Sequence, residues 1–264
     1  MAIASAILGV TPAIADELSI KPRFAMMDNT GDGTELTLDA ATVFSTKAFG
    51  DALVHPRVLL QYVGARGLGA YASTAASVLI DHASQDRFGH GNLEFGGLYQ
   101  HALSAEVAIG VRAGLIVGIT DLDVGTIVNA AATVVARPGD LATATPDSWI
   151  RFGVSSTYQR GNVFARLDAG VDIAVGSERD LHPIEHVNVG LGLAAGRWSF
   201  TQELGGVRVS NVSDSDTLVV AGLAARYHGE RASPFVMLSL PLNYDVAGEV
   251  GDLVTLTVGT SFSP

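Results

Sequence analysis

Three short segments have residue types and spacings that could do chemistry. His182-Pro183-Ile184-Glu185-His186 has the H-x-x-E-H order of a zinc peptidase, in which two histidines hold the metal. That arrangement needs a helix to bring both imidazoles to one face. Pro183 and the alternation of Val187, Val189, Leu191 and Leu193 predict a loop running into a strand instead. Gly67-Leu68-Gly69-Ala70-Tyr71-Ala72 fits the G-x-G-x-x-A dinucleotide turn, which needs a helix next. The same pattern recurs at Gly190-Leu191-Gly192-Leu193-Ala194-Ala195, inside a strand, so the match carries little in a chain rich in Gly and Ala. Asp28, Thr30, Asp32, Gly33 and Asp39 trace a calcium loop, but Thr30 and Asp39 are poor substitutes for the usual acid and bidentate glutamate, and the segment reads as a turn. Cysteine is absent, which removes thiolate metal sites, cysteine nucleophiles and disulfide scaffolds. No G-x-S-x-G, S-x-x-K or P-loop pattern is present. The chain is therefore expected to be no enzyme and to use no cofactor and no metal.

What remains is a set of single charges: Glu94, Arg112, Arg151, Arg166, Asp168, Asp172, Glu203 and Arg226. All fall on the polar side of segments whose period is two. Leu36, Leu38, Ala40 and Phe44 share a face, opposite Glu35, Thr37 and Asp39. Val107, Ile109, Val111, Ala113, Leu115 and Val117 alternate with Glu106, Ala108, Gly110, Arg112 and Gly114. Val163, Ala165, Leu167, Ala169, Val171 and Ile173 alternate with Phe164, Arg166, Asp168 and Asp172. Residues 68–78 alternate weakly and still read as a strand.

About twelve such strands follow one another. Short connections near Arg66, Ala102, Arg160, Gly196 and Glu230 alternate with longer ones, the longest spanning residues 120–147. Long and short ends in alternation predict an all-β fold: a single up-and-down antiparallel transmembrane β-barrel with both termini at the short-turn end. The turn near Ala102 sets Tyr99 opposite Val107 and Glu94 opposite Arg112. The turn near Arg160 sets Arg151 opposite Asp168, or diagonal to both Asp168 and Asp172.

Composition supports the membrane setting. The 264 residues are 48% hydrophobic, yet the longest charge-free stretches, residues 1–15, 67–80 and 232–244, are too short for a spanning helix. Lysine occurs only at Lys21 and Lys47, where the outer strands of a soluble barrel would favour it, and the polar faces are rich in Gly. A curved, wet lumen fits those faces. The formal net charge of −11 argues against nucleic acid as a partner.

Residues 1–15 read as the remnant of a secretory signal: an apolar run, then Ala13-Ile14-Ala15 as a small-x-small cleavage site before Asp16. The basic stretch that opens a full signal is missing. Residues 16–264 are then the barrel. The chain closes on alternating Val254, Leu256, Val258, Thr260 and Phe262, similar to the terminal strand read by the bacterial barrel-assembly machinery, although Ser263-Pro264 follow the aromatic.

The order of these pieces resembles a bacterial outer-membrane barrel family, that of the meta-pathway of phenol degradation. The resemblance lies in the Gly-rich lead-in from Asp28 to Leu36, then VLLQYVGARGLGAYAS, NLEFGGLYQHALSAEVAIGVRAGLIVG and GRWSFTQELGGV. It covers nearly the whole mature chain through diffuse hydrophobic patterns. It implies passage of small compounds, apolar ones among them, across the outer membrane, and it supplies no catalytic residue.

The expectation is thus a passive channel in the bacterial outer membrane, with lipid around it, a small-molecule solute and the assembly machinery as partners, and the eight charges above lining the pore. A non-conducting barrel serving structure or adhesion, and a soluble all-β protein, are the alternatives. N-terminal sequencing of the exported protein is expected to start at Asp16; an intact Met1 contradicts that processing.

Overall fold

The computed structural model describes residues 23–26, 33–45, 52–80, 87–119, 124–176, 182–210, 217–242 and 253–263. The expected signal, its cleavage site, and Asp28, Thr30 and Asp32 lie outside these residues. The strands are β1 (Glu35–Ser45), β2 (Ala52–Val63), β3 (Leu68–Ile80), β4 (Arg87–His90), β5 (Leu93–Ala102), β6 (Val107–Val117), β7 (Ser148–Arg160), β8 (Val163–Val175), β9 (Ile184–Ala195), β10 (Trp198–Val209), β11 (Thr217–Tyr227), β12 (Ala232–Pro241) and β13 (Leu253–Phe262). Each pairs antiparallel with its neighbours, and β1 pairs with both β2 and β13, so the sheet closes on itself. β4 and β5 both pair with β3 and form one stave, interrupted at Gly91-Asn92. The result is a closed barrel of 12 staves.

Every strand places its apolar side outward. Leu191 is 58% exposed, Val154 58% and Leu223 63%, whereas the intervening Asn188, Arg151 and Arg226 are buried. Of the residues expected on the outer wall, Ile109, Val111, Leu167 and Ile173 are exposed, and Val107 and Val171 are half-buried. This inverts a soluble barrel and is the pattern of a membrane barrel. Inward glycines make room for large inward neighbours: a Cβ at Gly192 would run into the Phe164 ring, and one at Gly153 into the Arg112 side chain.

The expected register is wrong by four residues at the β5–β6 hairpin, and at the β7–β8 hairpin by four from the direct pairing and by two from the diagonal one. Glu94 faces Ile116 and Tyr99 faces Val111. The hairpin runs on past Ala102 to a loop at residues 103–106, where Ser104 Oγ accepts hydrogen bonds from the N–H groups of Glu106 and Val107. Likewise Arg151 faces Asp172, and Asp168 faces Ser155. Here Gly161-Asn162 makes a two-residue turn between Arg160 and Val163, with Gly161 at φ 57°. An even slip leaves every side chain on its own face, so the period of two could not detect it.

The longest connection contains helix α1 (Val124–Ala136) and a 3-10 helix (Pro138–Ala144). Both lie inside the barrel. α1 packs on β1 to β4 and reaches β12 and β13, and the 3-10 helix packs on β9, β10 and β11. The strand pattern gave no expectation of this plug. A second internal segment, residues 23–26, also lies buried in the lumen.

Replacing Ile109 or Leu167 with Arg should reduce barrel stability by about 2–4 kcal/mol if either lies near the membrane midplane. Urea titration of refolding into vesicles measures the loss. Unchanged assembly would argue that these faces do not meet lipid.

Candidate functional site

The apolar outer wall leaves the lumen to polar side chains, and the plug brings further charges among them. At the centre lies Arg151, with 0% of its surface exposed. Its Nε and Nη2 donate to the two oxygens of Asp172 at 2.7 and 2.8 Å, the strong bidentate geometry for this pair. Nη1 donates to Glu94 at 2.9 Å and to Asp140 at 3.3 Å, and Nη2 also donates to the Gly139 carbonyl. Tyr71 adds its hydroxyl to Glu94.

Asp140 belongs to the 3-10 helix. Its second oxygen meets Arg57 Nη1 at 3.1 Å. Arg57 also approaches Asp39 at 3.3 Å, and Arg137, between the two helices, donates to the same Asp39 oxygen at 2.8 Å. One chain of contacts therefore runs Arg137, Asp39, Arg57, Asp140, Arg151, Asp172, crossing three times between wall and plug. Pairing is what allows this many charges away from water, because an unpaired buried ion costs several kcal/mol.

Nearer the short turns, Glu203 accepts hydrogen bonds from the N–H groups of Ala25 and Met26 at 2.8 and 2.7 Å, holding residues 23–26 inside. Arg23 pairs with Glu35, Phe24 packs edge-on against Phe164, and Arg137 donates to the Ala25 carbonyl. Arg226 lies over the Phe235 ring at 4.3 Å and bonds Ser261 Oγ. Arg166 pairs with Asp168 at 2.7 Å. These two, with Arg112, Gly110, Gly153 and Ser155, line a small cleft.

All eight expected pore residues thus point inward, but they are not brought together as one lining. Glu94, Arg151 and Asp172 share the central cluster. Arg112, Arg166 and Asp168 share the cleft, and Glu203 and Arg226 stand apart. Arg57, Asp39, Arg137 and Asp140 complete the site and were not among the expected residues. Arg57 and Asp39 were legible as inward by alternation; Arg137 and Asp140 sit in a loop whose placement no periodicity reveals.

The other sequence motifs resolve simply. H-x-x-E-H enters β9 with Glu185 outward and His186 inward, so its histidines share no helix face. Both G-x-G-x-x-A matches run into or lie within strands. Asp39 is held by two arginines. Among the described residues, no group of His, Cys, Asp or Glu is arranged to hold a metal ion. Two serines meet histidines, Ser77 with His55 and Ser199 with His228, each at 2.8 Å, but both serines are buried inside the barrel and neither pair lies on the outer wall.

No protein-family model and no curated protein matches the sequence. Solved structures do match the fold. An outer-membrane channel from Pseudomonas putida F1 superposes with a TM-score of 0.61 at 12% identity, over 92% of this chain and 99% of that one. The NanC porin gives 0.60 at 8% identity, over 87% and 100%. The KdgM porin gives 0.55 at 9%, over 86% and 99%. Inverted polarity, an even stave number and closure place the chain in the bacterial outer membrane, as a barrel of porin-like fold.

Arg151→Ala would leave Asp172 and Glu94 buried without their main partner. It should cost about 3–5 kcal/mol, several times the loss for an exposed pair such as Arg160 with Glu106. Parallel urea titrations of Arg151→Ala and Arg160→Ala compare the two, and equal losses would contradict the buried cluster.

Proposed function

We propose that the protein is a passive channel for small uncharged solutes. The observation that carries this is the pairing of both signs of charge at each level of the lumen: Arg23 with Glu35, Arg166 with Asp168, and Arg57 and Arg151 with Asp39, Asp140, Asp172 and Glu94. A lining of one sign would select ions. A paired lining gives a permeating ion little net field and leaves neutral, moderately apolar molecules at no disadvantage. Small aromatic compounds, which the resemblance to the phenol meta-pathway barrels implies, are the first solutes to test. In this reading β13, ending on Phe262, is the segment the barrel-assembly machinery engages.

A second reading is favoured by the filled lumen. A barrel plugged at the level of Arg151 suits a structural, non-conducting role. Conductance in planar bilayers separates the two. The channel reading expects currents with a cation-to-anion permeability ratio near unity. It further expects that replacing Arg112 and Arg166 together with Ala, which leaves the Asp168 carboxylate beside the cleft, tips selectivity several-fold toward cations. Strong selectivity in the parent would contradict the uncharged-solute class. Absence of current under all conditions would favour the structural barrel.

A further inference from the structure

We propose that the plug formed by α1 and the 3-10 helix is a gate, latched by Asp140, that leaves the lumen as a unit when Asp140 releases Arg57 and Arg151. The proposal rests on the channel reading above and adds how that channel closes.

The segment is tied to the barrel at one neck. Asn92 Nδ2 donates to the carbonyls of Thr145 and Asp147, and Asn92 Oδ1 accepts from the N–H of Ile119. Gly118 N–H donates to Ser148 Oγ at the same place. Both ends of the connection are fixed there, and the β6–β7 ladder stops at the pair Ile116 and Trp149, so the helices can swing without breaking a strand pairing. Beyond the neck the attachments are separate bonds that water can replace. Asn129 accepts from Ser77 Oγ at 2.7 Å, Arg137 holds Asp39 and the Ala25 carbonyl, the Gly139 carbonyl accepts from Arg151, and Asp140 holds two arginines. The apolar contact comes from short side chains, with Val134, Leu141 and Ala142 against the cluster of Trp149, Ile184 and Val207, and with Ala132, Val135, Ala136 and Ala144 also buried.

Departure strands no net charge. Arg137 and Asp140 are the charged residues of the described plug and leave together. Arg57 keeps Asp39, and Arg151 keeps Asp172 and Glu94.

The wall also pays for the closed state. Where β12 and β13 meet α1, which has no charged side chain, the hydroxyls of Ser239, Thr255 and Thr257 are buried without a hydrogen-bond partner. Beside the 3-10 helix, Asn188 Oδ1 and the ring nitrogens of His186 likewise make no hydrogen bond, His186 Nε2 lying 4.0 Å from Asp172. Water admitted by an open plug would satisfy all of them. The ionic latch favours closure, and hydration of these groups would favour opening, the two opposed contributions a two-arrangement element needs.

The absence of cysteine gives a clean test. In the double variant Ser77→Cys with Asn129→Cys, oxidation tethers α1 to β3, and mass spectrometry confirms the bond. Single-channel recording should show current lost on oxidation and restored by reductant. Asp140→Asn removes the latch charge at constant shape. It should raise the conducting fraction about tenfold or more, the effect of losing a charge-assisted hydrogen bond. A confirmed tether that conducts like its reduced form, or an Asp140→Asn barrel with the parent's conducting fraction, overturns the gate while leaving the channel standing. If the tether does not form, the Asp140→Asn comparison alone decides. Silence of the parent, the Asp140→Asn variant and the reduced double variant overturns the channel reading and the gate with it.

Discussion

Arg151 is a charged guanidinium with 0% exposure, and the rest of the lumen is arranged around keeping it paired. The need arises at the outer wall. Once each strand gives its apolar side to the exterior, every charge on the other side is confined to a closed space. There a lone ion costs several kcal/mol, and partners must come from neighbouring strands or from the plug. Asp172 comes from the adjacent strand, Glu94 from β5, and Asp140 from the connection that has turned inward.

The same constraint explains the two inserted segments. Residues 23–26 bring backbone N–H groups to Glu203 and a guanidinium to Glu35. The 3-10 helix brings one carboxylate to two arginines, and Arg137 links both segments through Asp39 and the Ala25 carbonyl. Packing alone would not select these segments, since α1 offers Asn129 to the Ser77 hydroxyl while the hydroxyls of Ser239, Thr255 and Thr257 find no protein partner. Electrostatic pairing holds what shape and polarity only half accept, and that imbalance makes movement of the plug physically reasonable.

How much of this was legible in the residues follows from what periodicity can encode. The faces of the strands were readable, because Leu167 and Asp168 differ by one position and one position changes the side. Strand order and the two kinds of connection were readable from spacing. The pairing of Arg151 with Asp172 was not, because a slip of four preserves faces and only the Gly161-Asn162 turn decides it. The inward path of residues 124–147 was not readable either. A charge-free helical run such as 124–136 gives no sign of which surface it will meet, and Asp140 looks like any loop carboxylate until two arginines are found around it.

Hydrogen exchange of the protein in lipid tests the central claim most directly: the lumen is closed by a separate element held by ionic contacts, not by the wall itself. The amides of Thr133, Val135 and Arg137, held within a 13-residue helix that frays once it loses its packing, should exchange through an opening that leaves those of Ile150 and Val171, in the β7–β8 ladder, protected. Added salt should speed the first set and not the second, in so far as it reaches the lumen charges. Exchange of both sets together, only on unfolding of the barrel, would contradict the account and make the plug part of the wall.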